Sequence, residues 1–301
     1  MAQATSGYNG NANLPKAGTT YSMTADQIDE YRKCMASPSY FAENYFKIVT
    51  LDNGLQLIKL YDFQKEASDA YLDTNKLLMA TSRQIGKTTI ATVIILHYVL
   101  FNEHKSVFVL ANKAATAQEV LSRVQLAYEY LPHWLKCGVV EWNKMSVEFE
   151  NGSKVTAAAT SSDGIRGKSA NMLYIDEQAF VQNWDEFSAS VLPVISSGKT
   201  SKLIFTSTPK GLNHFYEYVE GARKGINSFK LIEVKWSDVP GRDEKWKEAT
   251  LSTLNHNMER FEQEYCVTGD TEIETLDFNN NVVKIKIDEL YKEFIENEKT
   301  S

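Results

Sequence analysis

From residue 76 onward, continuous apolar runs alternate with stretches of helical period. The runs Lys76–Ala80, Ser106–Ala111, Met172–Ile175, Lys202–Thr206 and Phe229–Lys235 predict strands buried on both faces. Interleaving them with amphipathic stretches predicts an α/β fold, a mostly parallel sheet with flanking crossover helices. Thr24–Tyr45 reads as helical and leads into that series. One antiparallel insertion breaks the pattern, because Ser146–Phe149 and Ser153–Ala157 flank Glu150-Asn151-Gly152, and Asn-Gly between apolar runs is a hairpin signal. The longest apolar stretch, Ile90–Phe101, is interrupted by Thr92, His97 and Tyr98 and is too short to cross a bilayer, so no membrane partner is expected. Met1–Thr20 has no apolar signal region, and residues 1–23 read as a disordered tail.

Between the first strand and a buried helix at Thr89–Leu100 lies Met-Ala-Thr-Ser-Arg-Gln-Ile-Gly-Lys-Thr-Thr, residues 79–89. A strand, a turn and a helix with Gly-Lys-Thr at the helix start form a phosphate-binding loop. Gly86 lets the backbone approach phosphate oxygens, Lys87 brings a point charge to the β- and γ-phosphates of ATP, and Thr88 offers a hydroxyl to Mg2+. Ser82, Gln84, Ile85 and Thr89 complete the loop around the phosphates, with the helix N-terminus adding oriented amides. Thr81 stands where this motif usually has its first glycine, and an ordinary strand-to-helix turn with an exposed Lys-Thr pair would read the same way in isolation.

Downstream, Met172-Leu173-Tyr174-Ile175 runs into Asp176-Glu177. A carboxylate at the end of such a strand suits the Mg2+ shell, here Asp176, and the next one, Glu177, suits polarising the attacking water. Two acidic residues can also simply end a strand in solvent, but here the order and topology agree with the loop at Lys87. Thr206-Ser207-Thr208 places hydroxyls at the sheet edge, where a γ-phosphate or its loss would be sensed, although Ser, Thr and Pro are also plain turn residues. Upstream, Phe63 is expected to stack on adenine while the Gln64 amide reads its edge.

Composition narrows the picture. The chain has 301 residues, of which 43% are hydrophobic, enough for one substantial core and a small second module. Its three widely spaced cysteines suggest neither a disulfide framework nor a metal knuckle. A formal charge of -7 argues against a generally basic coat and leaves DNA binding to a local patch. Residues 266–301 hold nine acidic residues against four lysines, which sets them apart from the rest.

Phe63-Gln64, Ser82–Thr89, Ile175-Asp176-Glu177 and Thr206–Tyr216 together resemble the large terminase subunit of tailed bacteriophages. The resemblance extends through Val140–Asn143, Arg166-Gly167 and Pro193–Gly198 and covers Leu60–Tyr265. It implies a P-loop ATPase that drives double-stranded DNA into a procapsid as a homo-oligomeric ring on the portal protein, with a small terminase subunit, in the cytoplasm of an infected bacterial host. A non-glycine at the loop's first position is compatible with that family. By the resemblance, Arg83 is a cis-acting arginine finger, Glu177 the catalytic carboxylate, and Thr206–Thr208 a motif coupling hydrolysis to domain motion. Arg166 would face a neighbouring subunit's nucleotide or DNA. A helicase-like ATPase, or an inert truncated one, stays open as an alternative.

The family implies a nuclease domain after the ATPase, yet Cys266-Val267-Thr268-Gly269-Asp270-Thr271-Glu272-Ile273 instead resembles the start of an intein. By that resemblance, the Cys266 thiol attacks the Tyr265 carbonyl, exchanging the peptide bond for a thioester. All five His precede Cys266, so the later groups of the reaction are expected on another chain. Residues 266–301 are therefore expected to be the N-terminal fragment of a split intein, with a strand at Val282–Ile287 and a helix at Ile287–Ile295, joined by trans-splicing to a C-terminal fragment bearing the nuclease. The expected organisation is a tail at 1–23, a helical leading segment at 24–59, the ATPase at 60–265 and the intein fragment at 266–301.

Overall fold

The computed structural model describes residues 7–50, 52–160, 168–196, 198–265, 272–276 and 282–286. Helix α1 (Ala25–Ala36) opens on a capping box, in which Thr24 Oγ1 accepts from the Gln27 amide and Gln27 Oε1 accepts from the Thr24 amide. Helix α2 (Pro38–Tyr45) starts at once from Ser37, with proline at its first position. The leading segment then departs from its helical expectation. Strands β1 (Lys47–Thr50) and β2 (Gly54–Leu57) form an antiparallel hairpin, since β-branched Ile48-Val49-Thr50 precedes an Asp-Asn-Gly turn.

Helix α3 (Asp62–Asp73) leads into β3 (Lys76–Thr81), α4 (Lys87–Leu100), β4 (Ser106–Ala111) and α5 (Ala114–Glu129). Then come β5 (Val139–Trp142), β6 (Ser146–Phe149), β7 (Lys154–Ala159), β8 (Met172–Asp176), α6 (Trp184–Val191), α7 (Pro193–Ser196) and β9 (Lys202–Ser207). Helix α8 (His214–Arg223), β10 (Lys230–Val234), α9 (Glu244–Thr253) and α10 (Met258–Tyr265) follow, and β11 (Glu272–Leu276) and β12 (Val282–Lys286) pair antiparallel.

The described residues form an eight-stranded sheet in the order β10-β3-β9-β8-β4-β7-β6-β5. It is parallel from β10 to β7 and antiparallel across β6 and β5. The expected hairpin is therefore real, and its second arm docks beside β4 to extend the parallel sheet. Strand β5 was not anticipated, because four residues on an exposed edge carry little periodic signal. That edge also corrects the expectation of a disordered tail, at least from residue 7. Leu14 is buried, the Pro15 carbonyl accepts from Val139 N at 2.8 Å, and Lys16 bridges Val139.

Alternate residues of each central strand feed two cores. Leu77, Met79, Val107, Val109, Met172, Tyr174 and Ile204 face α3, α4 and α5. Leu78, Ala80, Phe108, Leu110, Leu173, Ile175, Leu203 and Phe205 face α6 and α8, through Trp184, Phe187, Phe215 and Val219. Every residue from Ile90 to Leu100 in α4 is buried, Thr92 and His97 included, so this helix is enclosed on all sides and is the central column of the first core. Each Val, Leu or Ile side chain among them is worth about 1.5–3 kcal/mol on burial. The rigid helix carries the loop before it. Among the described residues no helix is long and apolar enough to cross a membrane.

Candidate active site

Parallel strands deliver their C-terminal ends to one edge of the sheet, where open α/β folds build their sites. Strands β3, β9 and β8 lie side by side, so the loop after β3 faces Thr206–Thr208 and Asp176-Glu177.

The loop is held from outside on several sides. Gly86 has φ +83°, which disfavours any other residue, and a Cβ there would sit 2.5 Å from Gln64 Nε2 and push that amide aside. Gln64 is buried; its Nε2 donates to the Ile85 carbonyl at 2.8 Å and its Oε1 accepts from Tyr61 N at 3.0 Å. Gln84 is a non-glycine residue at φ +58°, and Arg242 donates to the carbonyls of Arg83 (3.1 Å) and Gln84 (3.0 Å). The Ser82 amide donates to Val234 O and the Arg83 amide to Glu264 O, both at 2.9 Å. Within the described residues, the buried hydroxyls of Thr81 and Ser82 have no hydrogen-bond partner, an arrangement suited to a polar ligand. Thr88 and Thr89 lie in the first turn of α4, half-buried.

Lys87 reaches across to Glu177, which accepts through Oε1. The other oxygen of Glu177 lies 3.4 Å from both Ser207 Oγ and Thr208 N. One carboxylate thus joins the loop lysine to the end of β9. Glu177 itself has φ +51°, a left-handed conformation costly for a glutamate and typical of functional positions. Asp176 is buried beneath it. Its Oδ1 accepts from Tyr174 Oη and Thr206 Oγ1, each at 2.9 Å, and those two hydroxyls are 2.9 Å apart. Burial raises the Asp176 pKa above its ordinary value and neighbouring Glu177 adds to this, while the nearby Lys87 charge opposes both.

Gly86, Lys87, Asp176, Glu177 and Thr206–Thr208 thus come together as the sequence expects. Other expected site residues meet groups of the chain itself. Phe63 is half-buried against the first core and beside Tyr61, with ring centroids 5.5 Å apart, and Gln64 braces the loop backbone. Arg83 forms an ion pair with Glu264 of α10. Arg166 and Cys266 lie outside the described residues. Tyr174, Arg242 and Glu264 are site residues that sequence reasoning missed. Tyr174 had a signal, two positions before Asp176 and so on the same strand face, whereas Arg242 and Glu264 sit in polar segments that carried none.

The family model described as "Terminase large subunit, T4likevirus-type, N-terminal" matches residues 78–278, more than half the chain. Among solved structures, the HK97 bacteriophage large terminase is similar at a TM-score of 0.63 and 16% identity, over 80% of this chain and 60% of that one. The Thermus phage P74-26 large terminase ATPase domain aligns at 0.58 and 21% identity, over 69% and 93% respectively. The large terminase of a thermophilic bacteriophage aligns at 0.55 and 14% identity, over 73% and 55%. At these identities the likenesses show a shared fold, an α/β sheet of the terminase ATPase kind. The matched region covers 60% of the HK97 protein and 55% of the thermophilic phage protein, so the chain spans little more than half the length of either.

Proposed function

Because this chain belongs to the terminase large subunit family through the N-terminal part of that protein, we propose that it is the ATP-hydrolysing portion of a phage DNA-packaging motor. The observation that carries the reading is the meeting of Lys87, Glu177, the Ser207 hydroxyl and the Thr208 amide at one sheet edge, beside the loop that leads into α4.

In this reading the loop from Ser82 to Thr89 cradles the triphosphate, and Lys87 leaves Glu177 for the β- and γ-phosphates. Glu177, released from the lysine, orients the water that attacks the γ-phosphorus in line. The bond to the β–γ bridging oxygen breaks and leaves ADP and phosphate. Arg83 turns from Glu264 to the developing charge, a contribution of roughly 10³–10⁵ in rate for arginine fingers generally. Ser207 and Thr208 feel the change at Glu177 Oε2 and pass it along β9. Thr88 and Asp176 present hard oxygen donors, which suit Mg2+, and both hydroxyl donors to Asp176 go to the same oxygen, Oδ1. When bound, the ion neutralises charge on the phosphate oxygens.

The substrate moved is double-stranded DNA. The working assembly is a homo-oligomeric ring docked through the portal protein on a procapsid, with the small terminase subunit as partner, in the host cytoplasm. We place the ATPase at 60–265 and assign 266–301 to a split-intein N-terminal fragment that is spliced to a nuclease-bearing partner. Support for the fragment is Cys266 with Gly269-Asp270-Thr271 after it and the β11–β12 hairpin. The family match continues to residue 278, past that junction, so splicing has to be tested directly.

The test of the enzyme is steady-state ATP hydrolysis. Wild type should turn over ATP with Mg2+, and Glu177→Gln should lose about 10²–10⁴ in kcat while still binding nucleotide. Undiminished turnover in the variant would remove Glu177 from its role.

A further inference from the structure

The loop before α4 is braced from a segment about 160 residues downstream in the chain, and that brace is itself held in place. Val239-Pro240-Gly241-Arg242 is a tight turn: the Arg242 amide donates to the Val239 carbonyl at 3.0 Å, and Gly241 takes φ +86°. Proline followed by a left-handed glycine is the composition such a turn requires. Asp243 then caps α9, its Oδ1 accepting from the Trp246 amide at 2.9 Å. Turn and cap together point Arg242 back at the loop. Its guanidinium lies 4.7 Å from the centroid of the Trp246 ring, a cation–π contact, and that ring is stacked on Trp236 and met edge-on by Tyr265.

From this fixed position the guanidinium donates to two consecutive loop carbonyls, those of Arg83 and Gln84. In a phosphate-binding loop the amides next to the helix face the ligand, so carbonyls on the outer side of the loop need donors of their own. Gln84 is also the loop residue whose left-handed backbone a glutamine rarely adopts without being held there. We propose that Arg242 is a positioning residue for nucleotide binding, a strut that holds Arg83 and Gln84 in the conformation from which the amides after Gln84 can meet phosphate, those of Ser82 and Arg83 being bonded to Val234 and Glu264. The inference rests on the ATPase reading above. Arg242 touches loop backbone only, and no reacting atom. It makes phosphate affinity depend on how α9 and α10 are seated, because the same aromatic cluster fixes the arginine and packs Phe261 of α10.

The experiment is titration of the whole chain with a fluorescent ADP analogue. Arg242→Ala should weaken binding about tenfold, equivalent to about 1.4 kcal/mol, with KM for ATP rising more than kcat falls. Arg242→Lys, able to reach one carbonyl, should recover part of the loss. Gln84→Gly, placed in the Arg242→Ala background, should also restore affinity, because glycine adopts the left-handed backbone without a brace. A brace serving only α9 would lower the melting temperature, leave ADP affinity within about twofold of wild type, and gain nothing from Gln84→Gly; that result overturns the inference. If Arg242→Ala does not fold, Arg242→Lys with and without Gln84→Gly reads the same dependence at smaller amplitude, and equal affinities there count against it. A wild-type chain that binds no ADP would overturn the ATPase reading and this one with it. Tight wild-type binding with an unchanged variant overturns this one alone.

Discussion

At the scale of single residues, the site is organised by hydroxyls and carboxylates that answer each other across neighbouring strands. Tyr174, Asp176 and Thr206 share one sheet face, and both hydroxyls donate to the Asp176 carboxylate, with all three residues buried. Removing one of these donors leaves a buried carboxylate short of a partner. Tyr174→Phe should therefore cost about 1–3 kcal/mol in urea unfolding and slow hydrolysis, because Asp176 loses half of what orients it. An unfolding free energy equal to wild type would mean that the hydroxyl is replaceable. This cluster also shows what the sequence could and could not reveal. Alternation along β8 placed Tyr174 beneath Asp176, so it was legible in principle. The engagement of Gln64 with Ile85, and of Arg83 with Glu264, was not, because each depends on long-range packing that no local pattern encodes.

Among the elements, α4 carries the site and is itself anchored by His97. The His97 Nε2–H donates to the Cys34 carbonyl of α1 at 2.9 Å, and Tyr71 Oη of α3 donates to Nδ1. Burial pushes the imidazole down to about 4 from its ordinary 6.5. Between these values the unfolded chain takes up a proton that the folded chain refuses, so stability falls as pH drops through that window and is recovered as pH rises. The full loss below about pH 4 is roughly 3 kcal/mol. Chemical denaturation at pH 7 and pH 4.5 should register most of it, and His97→Gln should flatten the difference. A pH-independent difference between the two proteins would contradict the assignment. Strands proved the most legible elements, since the five expected runs end within a residue or two of expectation; four are central and apolar, whereas β10 lies at the sheet edge and is only partly buried rather than buried on both faces. Strand β5 and the β1–β2 hairpin were missed because short, half-exposed pairs are defined by their neighbours more than by their own residues.

For the whole molecule, the parallel order β10-β3-β9-β8-β4 brings the loop, the acidic pair and the hydroxyl run to one edge, and the turn before α9 and the end of α10 contact the loop through Arg242 and Glu264. Helix α10 ends at Tyr265, beside the proposed splice junction. Mixed with a matching C-terminal intein fragment, the chain should yield a ligated product that vanishes in Cys266→Ala; equal product from the variant would end the splicing proposal. The central claim is that one triphosphate gathers Lys87 and Glu177. A crystal structure with Mg2+ and a non-hydrolysable ATP analogue tests it most directly. The expected result is phosphates seated in the loop at Gly86, with Lys87 turned from Glu177 to the β- and γ-phosphates and Glu177 facing the γ-phosphate. An analogue bound elsewhere, or one in the loop beside an unbroken Lys87–Glu177 pair, would contradict it.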